Sequence, residues 1–147
     1  MKRTELRKYA FVITFAMSVN MDEPEEAIAN YMESFKEDYT RENGKFDKKD
    51  TAFIEDIIYG VHKNKEEIDS IISGYSEKYS IERLSKVALA ALRVCIYEIK
   101  YREDIPNNVS INEALNIVGA YDDESTKKYV NGVLGSFVKE LSENKEN

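Results

Sequence analysis

Lys2, Arg3, Arg7 and Lys8 place four cations in the first eight residues against one acid, Glu5, a local charge of +3. Lysine and arginine grouped in this way suit one kind of chemistry: they neutralise phosphates, and each neutralised phosphate releases counterions from a polynucleotide. Between residues 83 and 102, Arg83, Lys86, Arg93, Lys100 and Arg102 stand against Glu98 alone, a local charge of +4, and Lys127-Lys128 form a third basic group. Elsewhere the chain is acidic. Its net charge is −7 and its pI about 4.9, and residues 22–50 hold ten acids and five bases. That balance argues against sequence-blind polyanion binding over the whole surface. Segregated bases are nonetheless what a local RNA contact in an acidic protein requires. Taken alone, a basic helix start is also what a solvated tip looks like, so both readings stay open on charge alone.

Other chemistry finds no support. No nucleophile–base arrangement, glycine-rich phosphate loop or metal-ligand spacing is present, so neither an enzyme nor a cofactor or metal site is expected. His62 is the only histidine, and without a second histidine or a cysteine at ligand spacing it reads as a structural residue at a helix end. Asp22, Glu23, Glu25 and Glu26 surround Pro24, and acids beside a first-turn proline mark a helix start rather than acid–base catalysis. The single Cys95 offers no disulfide framework and suits a reducing cytoplasm. The apolar run from Ala10 to Met17 is short and lacks a cleavage pattern, so no signal peptide is read and the expected location is cytoplasmic.

The elements that would position these cations are helices. With 147 residues, 42% apolar and 33% charged, the chain suits one all-α domain with a single core. Leu6, Tyr9, Ala10, Ile13 and Met17 share one helical face, with Phe11 and Phe15 on another. Ile28, Tyr31, Met32 and Phe35 mark the buried side of a second helix. Residues 38–50 are polar, with Asn43-Gly44 as a turn, and read as a loop. A third helix carries Phe53, Ile54, Ile57, Ile58 and Val61. A break at Lys63-Asn64-Lys65 separates it from a fourth with Ile68, Ile71, Ile72 and Tyr75, and Gly74 reads as a stop.

Between Leu84 and Ile99 twelve of sixteen residues are apolar, too dense for a one-faced surface helix and too short for a bilayer span. This segment reads as the axle of about seven helices in two packed groups. Arg93 and Glu98, which interrupt it, are expected in structural pairs with neighbours. Pro106 forbids a continuous helix onward, and Ser110-x-x-Glu113 has the spacing of a capping box opening the next one. The last helix carries Tyr129, Val130, Val133, Leu134, Phe137, Val138 and Leu141. Gly132 and Gly135 inside it suggest close approach of another helix, and Asn131 a hydrogen bond between helices.

Val109-Ser110-Ile111-Asn112-Glu113-Ala114-Leu115, Lys128-Tyr129-Val130-Asn131-Gly132-Val133-Leu134, and upstream Leu92-Arg93 with Ile96-Tyr97-Glu98-Ile99 resemble, in order and spacing, the bacterial transcription antitermination factor NusB family. The resemblance implies a NusB-like helical fold over residues 1–147. It also implies binding of boxA-like single-stranded RNA together with the small-subunit ribosomal protein S10 (NusE), and action on the transcribing RNA polymerase in ribosomal RNA synthesis. On that reading Lys2, Arg3, Arg7, Lys8, Lys86, Lys127, Lys128 and Tyr129 contact RNA. Tyr129 matches an aromatic position of the family motif, and Ala88, with Val87 beside it, occupies a position at which the family carries an acid and docks NusE. Two alternatives remain: a protein-binding adaptor without RNA contact, and an accessory domain for an RNA-modifying enzyme. Monomer and homodimer are both open.

Overall fold

The computed structural model describes residues 2–75 and 80–146, and it is all-helical as expected, with no strand among the described residues. The helices are α1 (Lys2–Asn20), α2 (Pro24–Asn43), α3 (Lys48–Lys63), α4 (Lys65–Tyr75), α5 (Lys86–Tyr101), α6 (Asn107–Tyr121) and α7 (Glu124–Glu146), with a 3-10 turn at Ile81–Arg83 before α5. They form two compact units, α1–α3 and α4–α7. No helix among the described residues is long and apolar enough to cross a membrane.

In the first unit α1 packs on both α2 and α3. Leu6, Ala10, Phe11 and Ile13 of α1 and Phe53, Ile54, Ile57 and Ile58 of α3 are buried, and Tyr9 of α1 stacks on Phe35 of α2 with ring centroids 4.5 Å apart. Pro24 opens α2 at its first turn, as its fixed φ favours. The polar stretch read as a loop is mostly helix. α2 continues to Asn43, because a solvated last turn needs no apolar face and an Asp38–Arg41 pair at 2.7 Å supports it. Gly44, at φ 98°, ends it by donating its N–H to the Thr40 carbonyl. Asp47 and Asp50 then cap α3 reciprocally: Asp47 Oδ1 accepts from the Asp50 N–H at 3.2 Å, and Asp50 Oδ2 from the Asp47 N–H at 2.9 Å.

In the second unit α5 packs against α4, α6 and α7, and all eleven residues from Ala88 to Glu98 are buried. Ser85 caps it, its Oγ accepting from the Ala88 N–H at 3.0 Å. The expected structural pairs at Arg93 and Glu98 are present. Arg93 makes a two-pronged pair with Asp69 of α4, both contacts 2.9 Å, and Glu98, 0% exposed, accepts from Ser110 Oγ at 2.9 Å. That second contact overturns the capping box. α6 opens four residues earlier, at Asn107, with Pro106 in place of Ser110 as its N-cap. The Pro106 carbonyl already takes the Val109 and Ser110 N–H groups, so Ser110 falls on the inner face and its hydroxyl serves the buried carboxylate instead. α4 runs one residue past Gly74, and the turn that would follow lies outside the described residues.

α7 buries Val130, Val133, Leu134 and Phe137. Gly132 and Gly135 do not admit a neighbouring helix: both are exposed, and a Cβ built on either meets nothing within 4 Å. Asn131, expected between helices, is exposed as well. The two glycines therefore only weaken the helix. Gly132→Ala and Gly135→Ala are each expected to raise the unfolding free energy by up to about 1 kcal/mol, readable as a shifted midpoint at unchanged slope in urea denaturation. A loss of stability in either variant would show that these positions carry a packing constraint.

Candidate nucleic-acid interface

The basic tip of the first unit is built by the start of α1 meeting the start of α3. Lys2 Nζ lies 2.8 Å from Asp50 Oδ2, donates to the Lys45 carbonyl at 3.3 Å, and stands 5.7 Å from the Tyr39 ring centroid. The hydrogen bond to Asp50 is the main reason its pKa is raised above the usual lysine value. Lys2 thus fastens α1 to the α3 cap. Arg7 is 3% exposed, with its guanidinium 5.8 Å from the Phe53 ring centroid. Arg3 lies over the same ring at 4.9 Å yet is exposed, as is Lys8. The four cations are therefore divided: Arg3 and Lys8 face solvent, Lys2 is committed to Asp50, and Arg7 lies in the packed interior, where cation–π contact offsets part of its desolvation.

The cations of residues 83–102 separate in the same manner. Arg93 is held by Asp69, Lys100 by Glu67, and Arg102 by Asp104 at 2.9 Å. Glu67 also accepts from the Tyr101 hydroxyl. The Lys100 bond, followed by that from Tyr101, holds the Glu67 carboxyl below the usual range. Arg83 and Lys86 remain exposed. Asp69 and Glu67 lie 24 and 33 residues from their partners, so no local spacing signals them.

One hydrogen bond gathers the remaining candidates. Ser85 Oγ donates to Asp122 Oδ2 at 2.7 Å, tying the start of α5 to the corner between α6 and α7. Lys86 lies on the first turn of α5 and is exposed. Lys127 and Lys128 lie within the first two turns of α7, which Asp123 caps by accepting the Thr126 N–H at 2.8 Å. That bond is the chief reason the Asp123 carboxyl sits below its usual range. Lys128 is exposed and Tyr129 half-buried. Lys127 runs along α6 so closely that a Cβ at Gly119 would lie 3.5 Å from its Nζ. Val87 is half-buried, whereas Ala88 is 2% exposed. A bare alanine methyl inside the unit leaves Val87 as the member of that pair with surface to offer.

The architecture is thus all-helical in two units, each with solvent-facing cations at a helix start. The NusB family model matches residues 4–139, from the first turn of α1 well into α7. The chain belongs to the NusB family. A transcription antitermination protein NusB of Clostridium botulinum (strain Loch Maree / Type A3) is 40% identical over 141 residues, covering 94% of this chain and 100% of that protein. One of Listeria monocytogenes serotype 4a is 40% identical over 140 residues, covering 95% and 98%. Among solved structures, NusB of T. maritima superposes with a TM-score of 0.79 at 33% identity, covering 94% of this chain and 91% of that one. A chain in the crystal structure of the antitermination factors NusB and NusE in complex with dsRNA superposes at 0.73 with 28% identity, covering 94% and 96%. These NusB relatives match both units, not the motif-bearing half alone.

Proposed function

We propose that this chain is a transcription antitermination factor that binds boxA-like single-stranded RNA together with NusE and acts on RNA polymerase transcribing ribosomal RNA, in the cytoplasm. The observation that carries the reading is 40% identity along 94% of the chain to a protein named as a transcription antitermination protein, covered over its whole length. The complex of NusB, NusE and dsRNA, whose NusB-like chain matches 94% of this one, supports NusE and an RNA as partners. The mechanism is binding without chemistry. Arg3 and Lys8 on one unit, and Lys86, Lys127 and Lys128 on the other, hold phosphates, Tyr129 offers an aromatic edge or face to an unstacked base, and Val87 beside the buried Ala88 belongs to the NusE contact. The acidic remainder discourages binding to polyanions elsewhere on the surface.

A reconstituted transcription reaction tests this. On a template carrying boxA ahead of a terminator, the chain and NusE added together should raise readthrough, whereas either alone, or both on a template without boxA, should raise it less. Unchanged readthrough with both proteins folded and bound to each other would favour a protein-binding adaptor.

A further inference from the structure

α6 carries one charged residue, Glu113, in a chain of which 33% is charged. Its buried side is Ser110, Ala114 and Val118. On the opposite side Asn108, Asn112, Asn116 and Gly119 are all exposed, and at 3.6 residues per turn they fall within roughly 80° of arc, each four-residue step advancing about 6 Å. A merely solvated face would be better served by lysine, glutamate or glutamine, all stronger helix formers than asparagine. What the amides add is a donor and an acceptor on each side chain, the pairing that reads base edges, with no charge to hold or repel a phosphate. At the end of the row Lys127 supplies that charge from α7, its Nζ 3.5 Å from where a Gly119 Cβ would stand.

Resting on the RNA-binding reading above, we propose that Asn108, Asn112 and Asn116 read successive base edges of single-stranded RNA while Lys127 anchors a phosphate beside Gly119. The 6 Å step exceeds the ~3.4 Å spacing of a stacked strand, so the row suits unstacked bases, the form in which single-stranded RNA is read by sequence. Lack of charge on the row itself gives it selectivity instead of bulk affinity.

The test uses the full chain with Asn112→Ala and Asn116→Ala combined, titrated into labelled boxA RNA and a scrambled RNA of the same composition at several salt concentrations. Alanine is the better helix former, and circular dichroism checks that the variant is folded. The preference for boxA over the scrambled RNA should fall about 10-fold or more with the salt slope unchanged. Lys127→Ala should weaken both RNAs alike and reduce the slope by about 0.7. Undiminished preference in the asparagine variant overturns the proposal while leaving RNA binding intact. A loss confined to NusE affinity also overturns it, making the row a protein contact. Failure of the unaltered chain to bind either RNA, with or without NusE, overturns both this proposal and the functional reading beneath it.

Discussion

Asp69→Ala is expected to lower the unfolding free energy by about 3 kcal/mol, the cost of leaving one member of a buried ion pair without its partner. The Arg93 side chain is 8% exposed and that of Asp69 21%, and both contacts between them are 2.9 Å. Arg93 sits in the middle of α5, among the eleven consecutive buried residues that α4, α6 and α7 cover. Guanidinium cannot shed its proton to escape burial, so the loss of Asp69 must be met by water entering the α4–α5 contact or by Arg93 leaving it. Asp69→Asn keeps the shape and one acceptor and should cost less. Removing both charges, Asp69→Ala with Arg93→Met, should recover much of the loss, because a well-packed apolar pair avoids desolvating either ion. Urea denaturation of the two single variants and the double variant gives the coupling. A loss within about 0.5 kcal/mol for Asp69→Ala would mean that the pair behaves like a solvated surface bridge.

Replacing Arg3 and Lys8 together by alanine should weaken boxA RNA binding at least 10-fold near 0.1 M salt and lower the salt slope by about 1.4, roughly 0.7 for each lost single-strand phosphate contact. Both residues are exposed, so the fold should hold. Arg7→Ala separates the tip from its support. At 3% exposure and beside the Phe53 ring, Arg7 packs as well as carries charge, and its loss should lower stability along with affinity. Fluorescence anisotropy for binding and thermal unfolding for stability resolve the two effects. Undiminished affinity and an unchanged slope in the Arg3/Lys8 variant would remove the N-terminal tip from the RNA contact.

The helix faces were legible because burial leaves a period: Phe53, Ile54, Ile57, Ile58 and Val61 repeat as one side of α3, and the dense apolar run from Leu84 to Ile99 marks a helix covered on several sides. Helix starts were legible only where their signal was local and unambiguous, and even there the N-cap Glu23 makes no side-chain capping bond. Glu23-Pro24 opens α2 as expected, but Ser110-x-x-Glu113 fits a cap equally well in the abstract, and only the position of Glu98 twelve residues upstream shows why the serine is buried. The stretch from Asp38 to Asp50 failed because polar residues favour both loops and solvated helix ends, and the deciding contacts there are the Asp38–Arg41 and Asp47–Asp50 pairs. Charge counting found the regions that matter without showing which cations are available. Lys2, Arg93, Lys100 and Arg102 each meet an acid within the same unit, and for Lys2, Arg93 and Lys100 that acid is distant in sequence. The amide row of α6 was present in the sequence as an absence of charge, but only the burial of Ser110, Ala114 and Val118 shows that it faces outward.

Titration of labelled boxA RNA with this protein, alone and with NusE, across a range of salt concentrations tests the central claim most directly. Binding that tightens in the presence of NusE, prefers boxA to a scrambled RNA and weakens linearly with the logarithm of salt is the predicted result. Folded protein that binds NusE but leaves the RNA free in every mixture would contradict it.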